Sequence, residues 1–405
     1  MESQKPGRSC FHLPRIRTWA VCLGAYCVVA SSAPAFDPLS GDYTRAEPLD
    51  IRIVTYNHAG NFISNPSRDA AFNRILTSLD PDIICFQEFA GSVEPNDIVS
   101  RLNGVLPIPG GTWRVHFGLL GGMRTVVASR FSLLMTRTDT VPESSTRGVT
   151  MALVNLPTAH YPVNVYIMGV HLKCCGEPGG PEDESRQRSA DAIANWLCDA
   201  RGVTRPSGDN IVLPANTPII NLGDFNLVGA PQPENTLITG DLQDEATFGP
   251  DVKGDWDGSD MTDLAPIDPF TGNDFTWQGS AYYPPSRLDR FIYTDSVAYV
   301  ANSFVLNSNT MTSAARAALG LQAGDTLPQN TSDHLPLAMD LRLVVTLGNG
   351  DFDSDGDVDL ADFAAFQACF DKAFTPECLP ADLTGLDRQI DLADYVVFAS
   401  LLTGP

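Results

Sequence analysis

The chain has 405 residues, 43% of them hydrophobic and 19% charged. It is too apolar for a disordered polymer and long enough for two to three domains or one large α/β domain with an appendage. Its 26 basic residues face 49 acidic ones, a formal net charge of −23, which disfavours non-specific binding of nucleic acid or anionic membrane by the whole surface but does not exclude a nucleic-acid substrate held locally through metal ions.

The first 35 residues read as a secretory signal peptide. Arg8, Arg15 and Arg17 form a basic start, Ala20 to Ala30 an apolar run, and Ala33-Pro34-Ala35 a small-residue cleavage site. The apolar run is shorter than the roughly 18 residues a spanning helix needs, so no membrane span is expected in the mature chain. The protein is therefore expected to be secreted, extracellular or attached to a cell surface. Six cysteines remain after cleavage: Cys85, Cys174, Cys175, Cys198, Cys369 and Cys378. Disulfides are permitted outside the cytosol. Cys369 and Cys378 are close enough to staple a loop. Either Cys174 or Cys175 can pair with Cys198, or the two with each other. Cys85, inside the apolar run IICF, reads as a buried free thiol.

After a polar lead-in at 36–50, short apolar runs alternate with helical patterns to about residue 345. Strands are expected at Ile51–Tyr56, Asp82–Gln87, Trp113–Leu119, Thr125–Ser129, Gly148–Leu156, Val163–Val170, Pro218–Leu222, Arg290–Tyr293 and Leu335–Val345. Helices are expected at Arg68–Leu79, Asp97–Asn103 and Glu184–Ala200, the last with Ala190, Ile193, Ala194 and Leu197 on one face. Many strands with few helices imply sheets packed on each other and covered by helices. Residues 228–285, rich in Gly, Pro, Asp and Asn, read as long loops.

Polar residues recur where the apolar runs end. Asn57 follows IRIVTY, Glu88 follows DIICFQ, His171 follows NVYIMGV, and Asp224 and Asn226 follow PIINLG. Asp289 precedes RFIYT, while Asp333 and His334 precede LPLAMDL. Strand ends gather such side chains at one rim, where carboxylates can hold a hard cation and histidines can move protons. Taken singly, each has a plainer reading. Asn57 suits a turn, Asp224 and Asn226 a turn about Phe225, Asp333–His334 a cap, and Asp289 an ion pair with Arg287 or Arg290. Glu88, after a buried strand, is harder to dismiss, because a carboxylate there needs a partner. His58, His116 and His160 read as structural or solvent-facing.

Together the segments IVTYN57, FQE88, GVH171L, GD224FN226, RLD289R and SD333H334 resemble the ordered motif series of the endonuclease/exonuclease/phosphatase superfamily. That superfamily includes pancreatic-type deoxyribonucleases, abasic-site endonucleases, sphingomyelinases and inositol polyphosphate phosphatases. The resemblance covers roughly residues 50–345. It implies a four-layer α/β sandwich, two packed mixed β-sheets flanked by helices, and an Mg²⁺ (or Mn²⁺) site at Asn57, Glu88 and Asp333. It further implies that Asp224 and Asn226 position the attacking water, that His334 is the acid/base group oriented by Asp289, and that His171 stabilises the phosphoryl oxygens. Arg124 and Arg147 are candidate phosphate contacts.

After the linker Gly348–Gly350 the composition changes: residues 351–405 hold 12 acidic residues against Lys372 and Arg388 alone. Asp351, Asp353, Asp355, Asp357, Asp359 and Asp362 fit a calcium loop, with Gly356 at its sharp turn. Phe363, Phe366 and Phe370 follow on one helical face. Thirty-two residues on, QIDLADYVVF echoes DVDLADFAAF, but the second loop lacks DxDxDG. The pair resembles a type I dockerin-like module, which implies Ca²⁺ at the first loop and docking to a cohesin-like module or cell-surface scaffold. The expected domains are thus 1–35, 36–347 and 348–405. The expected function is a secreted, metal-dependent phosphodiesterase or nuclease acting on a phosphate-ester substrate. A phospholipid or inositol-phosphate phosphoesterase, or a non-catalytic scaffold-docked binding protein, is the alternative.

Overall fold

The computed structural model describes residues 43–402 except 48, 119–122, 142–143, 158–160, 204, 206–210, 344–349, 353–357, 373–377, 379–380 and 385–388. The expected signal peptide, His160, most of the linker, Asp353, Asp355 and Asp357 lie outside the described residues.

Among the described residues the strands form two six-stranded mixed sheets. One runs β11 (Ala298–Val305), β12 (Leu337–Leu343), β1 (Ile51–Asn57), β2 (Ile83–Phe89), β4 (Arg124–Ser129), β3 (Arg114–Phe117). The other runs β5 (Ser132–Val141), β6 (Ser144–Asn155), β7 (Val165–His171), β8 (Ile219–Asp224), β10 (Asp289–Tyr293), β9 (Thr262–Leu264). Period-two alternation lets each central strand serve two layers. On β1, Ile51 and Ile53 enter a core shared with Ala152, Ile167 and Leu222 of the other sheet. Val54 and Tyr56 face Phe62 of α1 (Asn61–Ser64), Phe72, Ile75 and Leu76 of α2 (Asp69–Leu79) and Ile98 and Leu102 of α3 (Pro95–Val105). Met168 and Val170 of β7 likewise meet Ala190, Ile193 and Leu197 of α4 (Pro181–Ala200). The result is the expected sandwich, helices outside two packed sheets.

Some expectations need correction. β5, β9 and β11 were not anticipated. All three are sheet edges by their place in the strand order, and residues such as Tyr299, half exposed on β11, break the apolar run that marks a central strand. The stretch read as loops holds β9 and two helices, Gln232–Thr239 and Glu245–Phe248. Among the described residues Cys174, Cys175 and Cys198 form no disulfide, and Cys198 is buried with its sulfur against the Val252 and Lys253 carbonyls. Cys369 and Cys378 do form a disulfide. Among the described residues no helix is long and apolar enough to cross a membrane.

The acidic tail repeats itself. Its helices Leu360–Cys369 and Leu392–Leu401 open on identical capping boxes, Asp359 with Asp362 and Asp391 with Asp394. Asp362 also accepts from Phe352 N at 2.6 Å, and Asp394 from Leu383 N at 2.8 Å. The Phe366 and Phe398 rings meet at 4.7 Å. The aromatic face expected after the first loop is therefore the contact between the repeats.

The sheets approach closely where β7 crosses β2. A Cβ on Gly169 would stand 2.5 Å from Cys85 Sγ, a fully buried atom of the inter-sheet core. Gly169→Ala should lower stability by about 1–3 kcal/mol, as overpacking does, read as the urea midpoint with the slope unchanged. Adding Cys85→Ala should restore part of that loss. Simple additivity of the two changes would place the strain elsewhere.

Candidate active site

Strand register gathers the expected residues at one rim. β1 and β2 are parallel, as are β7 and β8, so the carboxyl ends of each pair lie side by side; His171 stands opposite Asp224. β10 runs antiparallel to β8 and begins where β8 ends, placing Asp289 opposite Asp224. β12 is antiparallel to β1, so Ser332–His334, just before it, return to the end of β1. There Ser332 Oγ donates to the Asn57 carbonyl at 2.6 Å and accepts from His334 N at 3.1 Å.

Local backbone then aims each side chain. The pairing of β2 with β4 slips between Phe86 and Phe89, and Glu88 inside the slip has φ 72°. Such a bulge re-aims a side chain, and a glutamate in the left-handed region persists only where its surroundings hold it. Gly223, at φ 141°, has Val170 O only 2.0 Å from where a Cβ would lie. Only glycine lets β8 deliver Asp224 at this spacing. Asp224 Oδ1 then accepts from Asn226 N at 3.1 Å in a short turn.

The side chains form one connected group. Asn57 Nδ2 donates to Glu88 Oε1 at 3.0 Å and to Asp224 Oδ2 at 3.1 Å, while its oxygen accepts from Ala59 N. Asp224 Oδ2 also faces two imidazoles, His171 Nε2 at 3.5 Å and His334 Nε2 at 3.8 Å. His334 Nδ1 meets Asp289 Oδ2 at 2.7 Å. Thr276 Oγ1 donates to the same Asp289 oxygen at 2.7 Å, and Trp277 Nε1 to Asp333 Oδ2 at 2.9 Å. Asp289 is thus not paired with Arg287 or Arg290, which go to Asp263. Asn226 spends its amide on the Leu172 carbonyl at 3.3 Å.

Burial and charge split the two histidines. Burial pushes His171 down to about 4 against the opposing pull of Asp224. Burial acts the same way on His334, but Asp289 and Asp224 outweigh it and hold the ring up at about 10. One imidazole is neutral and the other charged at pH 7. Burial, then the Asp224 and Asp333 charges, raise the Glu88 carboxyl against the lowering contacts of Asn57 and His334. An all-oxygen donor set in which carboxylates crowd one another suits a hard divalent cation. Of the three expected ligands, Glu88 and Asp333 carry carboxylate oxygens, whereas Asn57 turns its nitrogen to Glu88 and Asp224. Among the described residues no three acidic, imidazole or thiol groups form a ready coordination shell.

Two predicted residues differ. Arg124 is buried, its guanidinium on the Ala90 and Val93 carbonyls and 4.4 Å over the Phe117 ring, so it faces the outer layer rather than the group. Arg147 does stand beside His171, donating to the Leu172 carbonyl. Thr276, Trp277 and Ser332 were not anticipated. Only Ser332 carried a signal, lying directly before Asp333–His334.

Several solved structures are similar to this chain. D. rerio TDP2 complexed with single-strand DNA product is 14% identical over 73% of this chain and 99% of its own, TM-score 0.48. The human Nocturnin catalytic domain with bound sulfate is 14% identical over 75% and 97%, TM-score 0.48. An endonuclease/exonuclease/phosphatase from Bacteroides vulgatus is 18% identical over 73% and 99%, TM-score 0.46. No curated protein sequence matches the chain. The Endonuclease/Exonuclease/phosphatase family model matches residues 54–334, from β1 to the histidine before β12, and the chain belongs to that family.

Proposed function

We propose that the protein is a secreted, divalent-metal-dependent phosphodiesterase that cleaves nucleic acid. The observation that carries the chemistry is Asp224 Oδ2 facing both imidazoles, one of them braced at 2.7 Å by Asp289, with Glu88 adjoining through Asn57. Asp224, with Asn226 beside it, orients the attacking water. His334 keeps Nδ1 on Asp289 and leaves Nε2 to move the proton. His171, neutral, donates toward a phosphoryl oxygen. Glu88 and Asp333 would hold Mg²⁺ or Mn²⁺, with Asn57 fixing Glu88. A cation there supplies charge neutralisation of the phosphoryl oxygens and activation of water. The attacking water gives a proton to Asp224 as its oxygen bonds to phosphorus, the ester P–O bond breaks, and the departing alkoxide takes the proton that His334 carries on Nε2.

The basic, apolar and small-residue order of residues 1–35 supports export. The calcium-loop spacing at 351–362 and the repeated capping boxes support a dockerin-like module that binds Ca²⁺ and docks to a cohesin-like or cell-surface scaffold.

A panel of single- and double-stranded DNA, RNA, sphingomyelin, inositol phosphates and a nitrophenyl phosphodiester tests the reaction. Cleavage of a nucleic acid should require Mg²⁺ or Mn²⁺, stop with EDTA and return on metal addition. Glu88→Ala and His334→Ala should each lower kcat/KM by about 10²–10⁴. Folded wild-type protein that cleaves no phosphoester would reject the enzymatic reading, and cleavage of lipid or inositol phosphate alone would move the substrate.

Asp289→Asn should lower kcat with KM nearly unchanged, because it alters the brace and not the substrate contacts. A rise in KM alone would assign Asp289 to binding.

For the tail, Ca²⁺ should protect residues 351–402 from proteolysis, and Asp353→Ala with Asp355→Ala should abolish that protection. Truncation at Gly348 should leave hydrolysis intact.

A further inference from the structure

Two of the most exposed large side chains lie on a hairpin anchored at the acidic rim. Tyr282 is 89% and Tyr283 67% exposed. Both lie at the tip of a hairpin whose base touches the site. At that base Trp277 pairs with Ser286 on one side and His334 on the other. Trp277 Nε1 also holds Asp333, and Gln278 N donates to the Asp333 carbonyl at 2.9 Å. The tip is built rather than loose. Ser280 Oγ accepts from the amides of Tyr282 and Tyr283, each at 3.2 Å, and Ser280 N donates to the Tyr283 carbonyl at 2.8 Å. Gly279, at φ 81°, has Tyr283 O 2.9 Å and Pro285 N 2.8 Å from where a Cβ would lie, so the turn closes only on glycine. Pro284 and Pro285 stiffen the return strand. At most about 3.5 Å per residue, the three steps from Ser286 keep Tyr283 within roughly 10 Å of the pair that adjoins His334.

We propose that Tyr282 and Tyr283 form a stacking platform for the bases flanking the scissile phosphate, and so set preference for single-stranded nucleic acid. The proposal rests on the phosphodiesterase reading above. A net charge of −23 over the whole chain disfavours holding a polyanion by surface charge, whereas π-faces bind bases without cations. Two tyrosines, each with a phenolic hydroxyl, suit a wet stacking surface better than insertion into hydrocarbon.

The test compares a single-stranded oligothymidylate with a strand of equal length made of abasic residues, each with Mg²⁺. Wild type should favour the base-bearing strand. Tyr282→Ala with Tyr283→Ala should raise KM for it about 5- to 150-fold, the range of base–aromatic stacking, and leave kcat and abasic cleavage unchanged. Tyr282→Phe with Tyr283→Phe should keep wild-type behaviour. Equal losses on both strands, or no loss on either, would overturn the platform. If wild type cleaves neither strand, fluorescence anisotropy of labelled oligothymidylate separates the two ideas. Base-dependent binding that the alanine pair abolishes would sink only the phosphodiesterase reading, while binding indifferent to bases would sink the platform. Tyrosine-dependent flotation with phosphatidylcholine vesicles, without base preference, would assign the hairpin to a lipid surface instead.

Discussion

The active rim depends on strand register. A β-strand alternates its faces residue by residue, so a slip of one position between β7 and β8 would send either His171 or Asp224 to the opposite side. The parallel pairs β1–β2 and β7–β8 bring carboxyl ends together, and the antiparallel β10 and β12 begin at the same rim. No loop has to be long to assemble the group, because the sheets deliver it. Where regular pairing would point a side chain wrongly, the backbone departs from it. The slip in β2 and the φ of 72° at Glu88 are such a departure. The close approach of Gly223 to Val170 is another, paid for by forgoing a side chain at that position.

The price of that convergence is electrostatic crowding, and the structure shows how it is relieved. Asn57 inserts one amide nitrogen between Glu88 and Asp224. His334 sits between Asp289 and Asp224 and is held charged by them. His171, buried first of all and with Arg147 nearby, stays neutral. Two imidazoles of the same intrinsic basicity are thus driven apart by their neighbours, the arrangement that separates proton donors from acceptors within one site. The Glu88 carboxyl remains raised, by burial first and by the Asp224 and Asp333 charges after it. The tail manages its acids differently: Asp362 and Asp394 are buried, yet each collects backbone N–H donors at a helix start, where the helix dipole also favours negative charge.

What the sequence made legible follows from how strongly burial marks it. Central strands are buried on both faces and read as apolar runs, so β1, β2, β7, β8 and β12 were found, together with the residues at their ends. Edge strands carry half that signal, and β5, β9 and β11 did not stand out. The α4 stripe was legible because four small or aliphatic residues repeat on one face, all buried. Thr276 and Trp277 were invisible because they act through hydrogen bonds to Asp289 and Asp333 from a stretch without periodicity. Arg124 was misread for the converse reason. A basic residue in sequence looks available, and nothing local reveals that its guanidinium is spent on the carbonyls of Ala90 and Val93. Cys198 looked like a disulfide partner because sequence shows proximity along the chain, not the carbonyls that surround its thiol.

An acidic enzyme acting on phosphate esters faces a problem of attraction. Its substrate is an anion, its surface is anionic, and its rim gathers Glu88, Asp224, Asp289 and Asp333. Long-range steering therefore works against encounter and weakens with salt. Favourable interaction has to arise at contact distance, from the cation proposed at the carboxylates and from groups that recognise the neutral parts of the substrate. The first is local by nature, since a bound ion inverts the sign of the field only around itself. The second calls for apolar or aromatic surface beside the rim, and the 277–286 hairpin puts it there on a frame tied to Asp333 and His334. Chemistry and recognition are then coupled mechanically, because Trp277 belongs to both: its indole nitrogen holds Asp333 and its backbone anchors the hairpin.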